Sequence, residues 1–263
     1  MGGTSLADSS LPQESPMSFR QCTLAATVVA CVSLHHIGIA GGGVDHSLFD
    51  EVLKKYVVNG LVDYASLKKD KSFGDYLTLL SNIDPDAIGN EKARLVFWIN
   101  TYNAFTLKVI VDHYPLKSIR DIEKDGKGPW DIVWIRIGRK NLSLNNIEHD
   151  IIRKEFAEPL IHMALVCAAV SCPPLRSEAY TPEKLFIQLK ENTKAFFRDP
   201  LKNRYDEKAN TVYLSELLEW YGGDFDERYG SGKKFGIAEL GVDPIKNPEV
   251  KYVPYDWSLN VQK

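Results

Sequence analysis

The residues best suited to chemistry lie in one short stretch, Ile161-His162-Met163-Ala164-Leu165-Val166-Cys167-Ala168-Ala169-Val170-Ser171-Cys172-Pro173-Pro174. An apolar run carries a histidine near one end and breaks at Ser171-Cys172-Pro173-Pro174. A thiol there would be a nucleophile, half of a disulfide, or a metal ligand. A nucleophile needs its thiolate favoured by a nearby imidazolium or a helix N-terminus. His162 and, further upstream, His149 are the candidate bases, and all six histidines precede Cys172. A Cys167–Cys172 disulfide would close a small loop and stabilise only modestly. His162, Cys167 and Cys172 would supply three metal ligands at an unusual spacing, with no C-x-x-C to support zinc. The spacing leaves these three alternatives open.

Two further constellations surround that stretch. In Asn145-Asn146-Ile147-Glu148-His149-Asp150, a helical projection sets Glu148 among Ile147, Ile151 and Ile152. A carboxylate on an apolar face is paired or functional. Alternatively, Asn145 as N-cap and Glu148 at N3 form a capping box. His149, at the margin of that face, would orient a nucleophile or take its proton, or simply sit on the surface. Tyr255-Asp256-Trp257-Ser258-Leu259-Asn260 is too aromatic to fray and must dock. Asp256 would orient a histidine there or serve as a structural cap.

These residues need a scaffold. Apolar spacing predicts helices over 46–57 and 76–83, and a long one over 91–114 ended by Pro115. The long helix is apolar all round, with Leu95, Trp98, Tyr102, Phe105 and Val109 on one face and Phe97, Leu107 and Val111 on the other, so it is buried. Asn100 and Asn103 inside it must find hydrogen-bond partners, either backbone groups or an active-site side chain. Residues 132–144 read as a hairpin turning at Gly138-Arg139-Lys140, and a helix follows over 146–156. Residues 160–167 read as a central strand, and 182–197 as a helix capped by Thr181 with Pro182 at N1. A strand at 211–214, a helix at 216–221, a Gly-rich loop at 222–236 and an extended segment at 250–255 complete the domain. The fold class is α+β: a single domain with a short, mostly antiparallel sheet packed by several helices around one buried central helix.

Composition limits the function classes. The chain has 263 residues, 44% hydrophobic and 25% charged, with a formal net charge of -3. No basic run supports nucleic-acid binding. Residues 1–40 form an N-terminal extension. After Met17, which offers a second start, Arg20, the apolar run from Cys22 to Leu34 and Gly38-Ile39-Ala40 predict a signal peptide over 17–40. The run is shorter than the ~20 residues of a membrane span. Val28-Val29-Ala30-Cys31 also resembles a lipobox, so the membrane partner would be at most a lipid anchor. The expected location is periplasmic, secreted or lipid-anchored at the cell envelope. Export leaves Cys167 and Cys172 as the domain's thiols, and an oxidising compartment favours their disulfide.

Phe97-Trp98-Ile99-Asn100-Thr101-Tyr102-Asn103-Ala104, Ile147-Glu148-His149, the 162–174 stretch and Tyr255 to Asn260 together resemble the domain of unknown function 547 family, over roughly residues 46–260, with 41–263 as the domain. That family is thought to be distantly similar to papain-like and transglutaminase-like cysteine hydrolases. The resemblance implies Cys172 as nucleophile, His162 or His149 as base, and Glu148 or Asn103 as orienter. It also implies amide hydrolysis or acyl transfer on a peptide or cell-wall-like substrate, without a cofactor. Because histidine precedes cysteine here, the papain-like arrangement would be permuted. Backbone N–H groups near Ser171-Cys172 would supply the oxyanion hole. The alternatives are a non-catalytic envelope binding or scaffold module stapled by Cys167–Cys172, and a metal-dependent site using Glu148, His149 and His162.

Overall fold

The computed structural model describes residues 43–263. The stretches read above as signal peptide and lipobox, with Cys22 and Cys31, lie outside the described residues.

Helix α1 (Ser47–Tyr56) leads into a two-residue-per-strand hairpin, β1 (Val57–Val58) and β2 (Leu61–Val62), which turns at Asn59-Gly60. Helices α2 (Tyr64–Leu67) and α3 (Lys71–Asn82) follow. Asp70 caps α3 by accepting the Phe73 N–H at 3.2 Å, as an N-cap carboxylate should. It also accepts the Tyr56 hydroxyl at 2.7 Å and the Lys55 ammonium at 3.0 Å. Helix α4 (Glu91–His113), capped by Asn90, is buried on every side from Leu95 to Leu107.

The buried amides of α4 are backbone clamps. Asn100 donates to the Tyr180 carbonyl at 2.9 Å and accepts the Tyr180 N–H at 3.0 Å. Asn103 donates to the Ala164 carbonyl at 2.9 Å and accepts the Val166 N–H at 3.0 Å. Each amide satisfies a donor and an acceptor at once, which offsets the cost of burying it.

The expected hairpin forms as β3 (Ile135–Ile137) and β4 (Lys140–Leu142). The next element departs from expectation: residues 146–152 are π-helical, passing into α5 (Arg153–Glu155). The Arg153 N–H reaches back five residues to the Glu148 carbonyl, and such widened turns recur at functional sites. No capping box forms, because the Asn145 amide donates to Asp131 at 2.7 Å instead of capping.

The predicted strand at 160–167 is also corrected. Residues Pro159–Met163 form a 3-10 helix capped by Glu158, and the chain then loops. A short apolar run cannot be told from helix by periodicity alone, and Pro159 supplies a helix-start residue. Helix α6 begins at Leu185, not Pro182, and runs to Phe197 without a Thr181 side-chain cap. Strands β5 (Arg204–Asp206) and β6 (Thr211–Ser215) are antiparallel, while β7 (Glu249–Val253) joins β6 in parallel. Between them lie α7 (Leu217–Trp220), α8 (Asp226–Tyr229) and α9 (Gly232–Glu239). The predicted loop at 222–236 is thus largely helical, beginning with the 3-10 turn Gly222–Phe225. The architecture is α+β with small, mainly antiparallel sheets around one buried helix. Among the described residues no helix is long and apolar enough to cross a membrane.

Candidate functional site

Residues 159–175 are held from three sides. Asn103 grips Ala164 and Val166 from α4, as above. From α6, the Asn192 amide donates to the Met163 carbonyl and, at 3.0 Å, to the Pro174 carbonyl. The 255–261 segment docks alongside: Val170 N–H donates to the Ser258 carbonyl at 2.8 Å and Asn260 N–H to the Ala168 carbonyl at 3.1 Å. Asn260 also accepts the Tyr64 hydroxyl at 2.6 Å and donates to the Gly60 carbonyl at 3.0 Å.

Cys167 and Cys172 are disulfide-bonded, with Cα atoms 6.3 Å apart. Cys172 is buried and Cys167 half-buried. Ala168 between them takes a φ of 60°, the left-handed region that residues with a Cβ seldom occupy. Two donors converge on the Cys172 sulfur: the Cys167 N–H at 3.0 Å and the Tyr255 hydroxyl at 3.1 Å. The Tyr255 oxygen also lies 3.3 Å from the Cys167 sulfur. Burial first, and the charge of Glu148 second, push the Tyr255 phenol well above its ordinary pKa, so it remains a donor.

The sulfurs line a cavity of about 280 Å³ that also exposes Glu148, His149 and His162. His162 Nε2 donates to Asp224 at 2.7 Å, and its ring stacks on Tyr221 with centroids 4.1 Å apart. Arg153 grips the same carboxylate in a bidentate pair, at 2.6 and 2.8 Å. The His162 hydrogen bond, then the Arg153 pair, hold the Asp224 carboxyl well below the usual carboxylate range against the opposing effect of burial. With Nε2 committed to Asp224, Nδ1 is the His162 nitrogen able to accept a proton. His149 Nδ1 faces Arg153 at 3.0 Å. A guanidinium only donates, so this nitrogen is the acceptor.

The structure therefore brings Cys172, His162, His149 and Glu148 to one cavity and leaves Asn103 out of its lining. Asn103 positions the thiol segment through its backbone. The carboxylate that orients His162 is Asp224, which follows Gly222-Gly223 in a stretch read as loop. Asp256 is exposed; it accepts the Ser258 N–H at 2.9 Å and caps its own turn, while its neighbour Tyr255 reaches the site. The expected oxyanion hole is not available. Ser171 N–H donates to the Asp256 carbonyl at 3.2 Å and Cys172 N–H to the Ala169 carbonyl at 3.1 Å. Nor, among the described residues, do three His, Cys, Asp or Glu side chains converge as a metal site.

Residues 88–197 match the profile of the family described as "Protein of unknown function, DUF547". That span carries Glu148, His149, His162, Cys167 and Cys172, whereas Asp224 and Tyr255 lie beyond it. No curated protein and no solved structure matches the chain.

Proposed function

For this member of the domain of unknown function 547 family, we propose a thiol-dependent hydrolase or acyltransferase acting on amide bonds, latent while Cys167–Cys172 is oxidised. The observation that carries it is the pair of donors on the Cys172 sulfur, in the same cavity as a histidine fixed by a carboxylate. A small dithiol reductant opens the disulfide. The Cys172 thiolate then accepts from the Cys167 N–H and the Tyr255 hydroxyl, and hydrogen bonds to the charged form favour it. The Cys172 thiol gives its proton to His162 Nδ1 as the thiolate attacks the amide carbonyl, His162 passes that proton to the departing amine, and water or a second amine, losing its own proton to His162 Nδ1, releases the acyl group from sulfur and restores the thiol. Asp224 holds the imidazole in the tautomer this requires. A peptide or cell-wall-like substrate at the cell envelope accords with the leader read at residues 17–40.

The test is an acyl-type thiol probe applied before and after reduction, with the modified residue read by mass spectrometry. Labelling at Cys172 after reduction alone, abolished in Cys172→Ala, supports the assignment. Equal labelling of Cys172→Ala at Cys167 overturns it.

The closed disulfide itself favours a second reading, a non-catalytic envelope binding module. There the bond between residues five apart is a staple worth about 2 kcal/mol. Reduction would then lower Tm without exposing a probe-reactive thiol.

A further inference from the structure

The cavity walls hold more than thiol chemistry uses. Tyr102, Trp130, Trp220, Tyr221, Tyr255 and Trp257 all line it. Trp257 packs edge-on to Trp130 at 5.6 Å and 70°, and nearly parallel to Trp220 at 6.0 Å and 16°. Tyr255 closes against both Trp220 and Trp257, at 4.9 and 4.7 Å. Trp220 is 47% exposed, so this cavity-lining ring is open to solvent.

Among these rings sits Glu148, only 6% exposed. Among the described residues it makes no ion pair. Arg153, five residues along the same helical run, is spent on Asp224 and His149. Tyr102 and Tyr221 line the same cavity as the carboxylate; burial, reinforced by the charge of Glu148, pushes both phenols well above their ordinary pKa, so both stay protonated. Neither phenol is a counter-ion. Arg120 already lies over the Trp257 ring, 5.4 Å from its centroid, and Arg153 over the Tyr221 ring at 5.1 Å, whereas the buried carboxylate has no cation among the described residues; a ligand cation would satisfy it together with the cavity's remaining rings.

We propose that this cavity binds an alkylammonium group, with Glu148 as counter-ion and Trp130, Trp220 and Tyr255 as an aromatic cage. The proposal rests on the preceding section's reading of the cavity as the substrate site. It names the substrate class: an amide-bearing molecule carrying an amine or quaternary ammonium close to the bond that is cut or formed.

The experiment uses the protein with its disulfide closed, so binding is read independently of any thiol activity. Tryptophan fluorescence is titrated with choline and with its neutral isostere 3,3-dimethylbutan-1-ol. Choline should bind at least ten-fold more tightly than the alcohol. Glu148→Gln should abolish that preference, and Trp220→Ala, at an exposed position that tolerates truncation, should weaken choline several-fold. Equal affinity for the two ligands, or no saturable response to choline, overturns the proposal. So does tighter binding of neutral N-acetylglucosamine than of choline, which would make the rings a sugar platform. None of these failures touches the thiol reading, which stands or falls on the labelling of Cys172.

Discussion

Replacing Tyr255 by Phe tests the core of the proposed chemistry with one oxygen atom. The ring and its contacts with Trp220 and Trp257 remain, while the hydroxyl 3.1 Å from the Cys172 sulfur is lost. A hydrogen bond to a charged group contributes about 1.5–3 kcal/mol, so the thiolate population of reduced protein at neutral pH should fall about 10- to 100-fold. A more basic thiolate is also a better nucleophile, with a Brønsted slope of about 0.5. The net loss of alkylation rate is therefore only about 3- to 10-fold near neutrality. At high pH both proteins are fully thiolate, and the variant should react faster by a similar factor. The assay is the pH dependence of iodoacetamide alkylation at Cys172 after reduction. Crossing profiles are the signature. Superimposed profiles, or a variant slower by one factor at every pH, would refute the reasoning.

Two stability predictions follow from groups outside the cavity. His46 is buried, with Nδ1 on the Tyr76 hydroxyl at 2.7 Å, and burial, against the opposing charge of Asp45, pushes its pKa down to about 4. The unfolded chain binds that proton near pH 6.5, so stability is intact above about 6.5 and is lost as pH falls toward 4, by up to about 3 kcal/mol. Denaturant melts across this range should show the slope in the native protein and not in His46→Asn; equal slopes would sink the assignment. Gly60, at φ 80°, would place an added Cβ 2.9 Å from the Pro174 Cβ. Gly60→Ala should cost about 1–3 kcal/mol and speed alkylation of reduced Cys172 by loosening the loop. Gly126→Ala, at φ 71° with open space around it, controls for backbone strain, and equal Tm losses would deny the contact.

The long helix, the β3–β4 hairpin and the docked aromatic segment were legible because apolar spacing, Pro115 and the Gly138 turn all agree locally. The cysteine stretch was legible as a site but not as an element: an apolar run after Pro159 fits a 3-10 turn as well as a strand. The true partner of His162 was hidden because Asp224 follows two glycines, the usual mark of a loop, and it meets the histidine only through tertiary packing 62 positions away. Glu148 stood out for being a carboxylate on an apolar face. The capping box offered the simpler account until the Asn145 side chain turned toward Asp131.

The way residues 255–261 complete the site sets an order of events during synthesis. Cys167 and Cys172 emerge first, and Tyr255 follows them by 88 and 83 positions. At 5–20 residues per second this interval is on the order of ten seconds. Through that time the two thiols lack the hydroxyl that later bridges them, and the loop lacks its Ser258 and Asn260 partners. A nascent chain therefore presents a flexible dithiol to whatever oxidant or chaperone it meets, whereas the finished protein presents a clamped one. Pairing of the two sulfurs during synthesis and pairing after it are thus separate reactions, with different access and different competitors, although they leave the same bond.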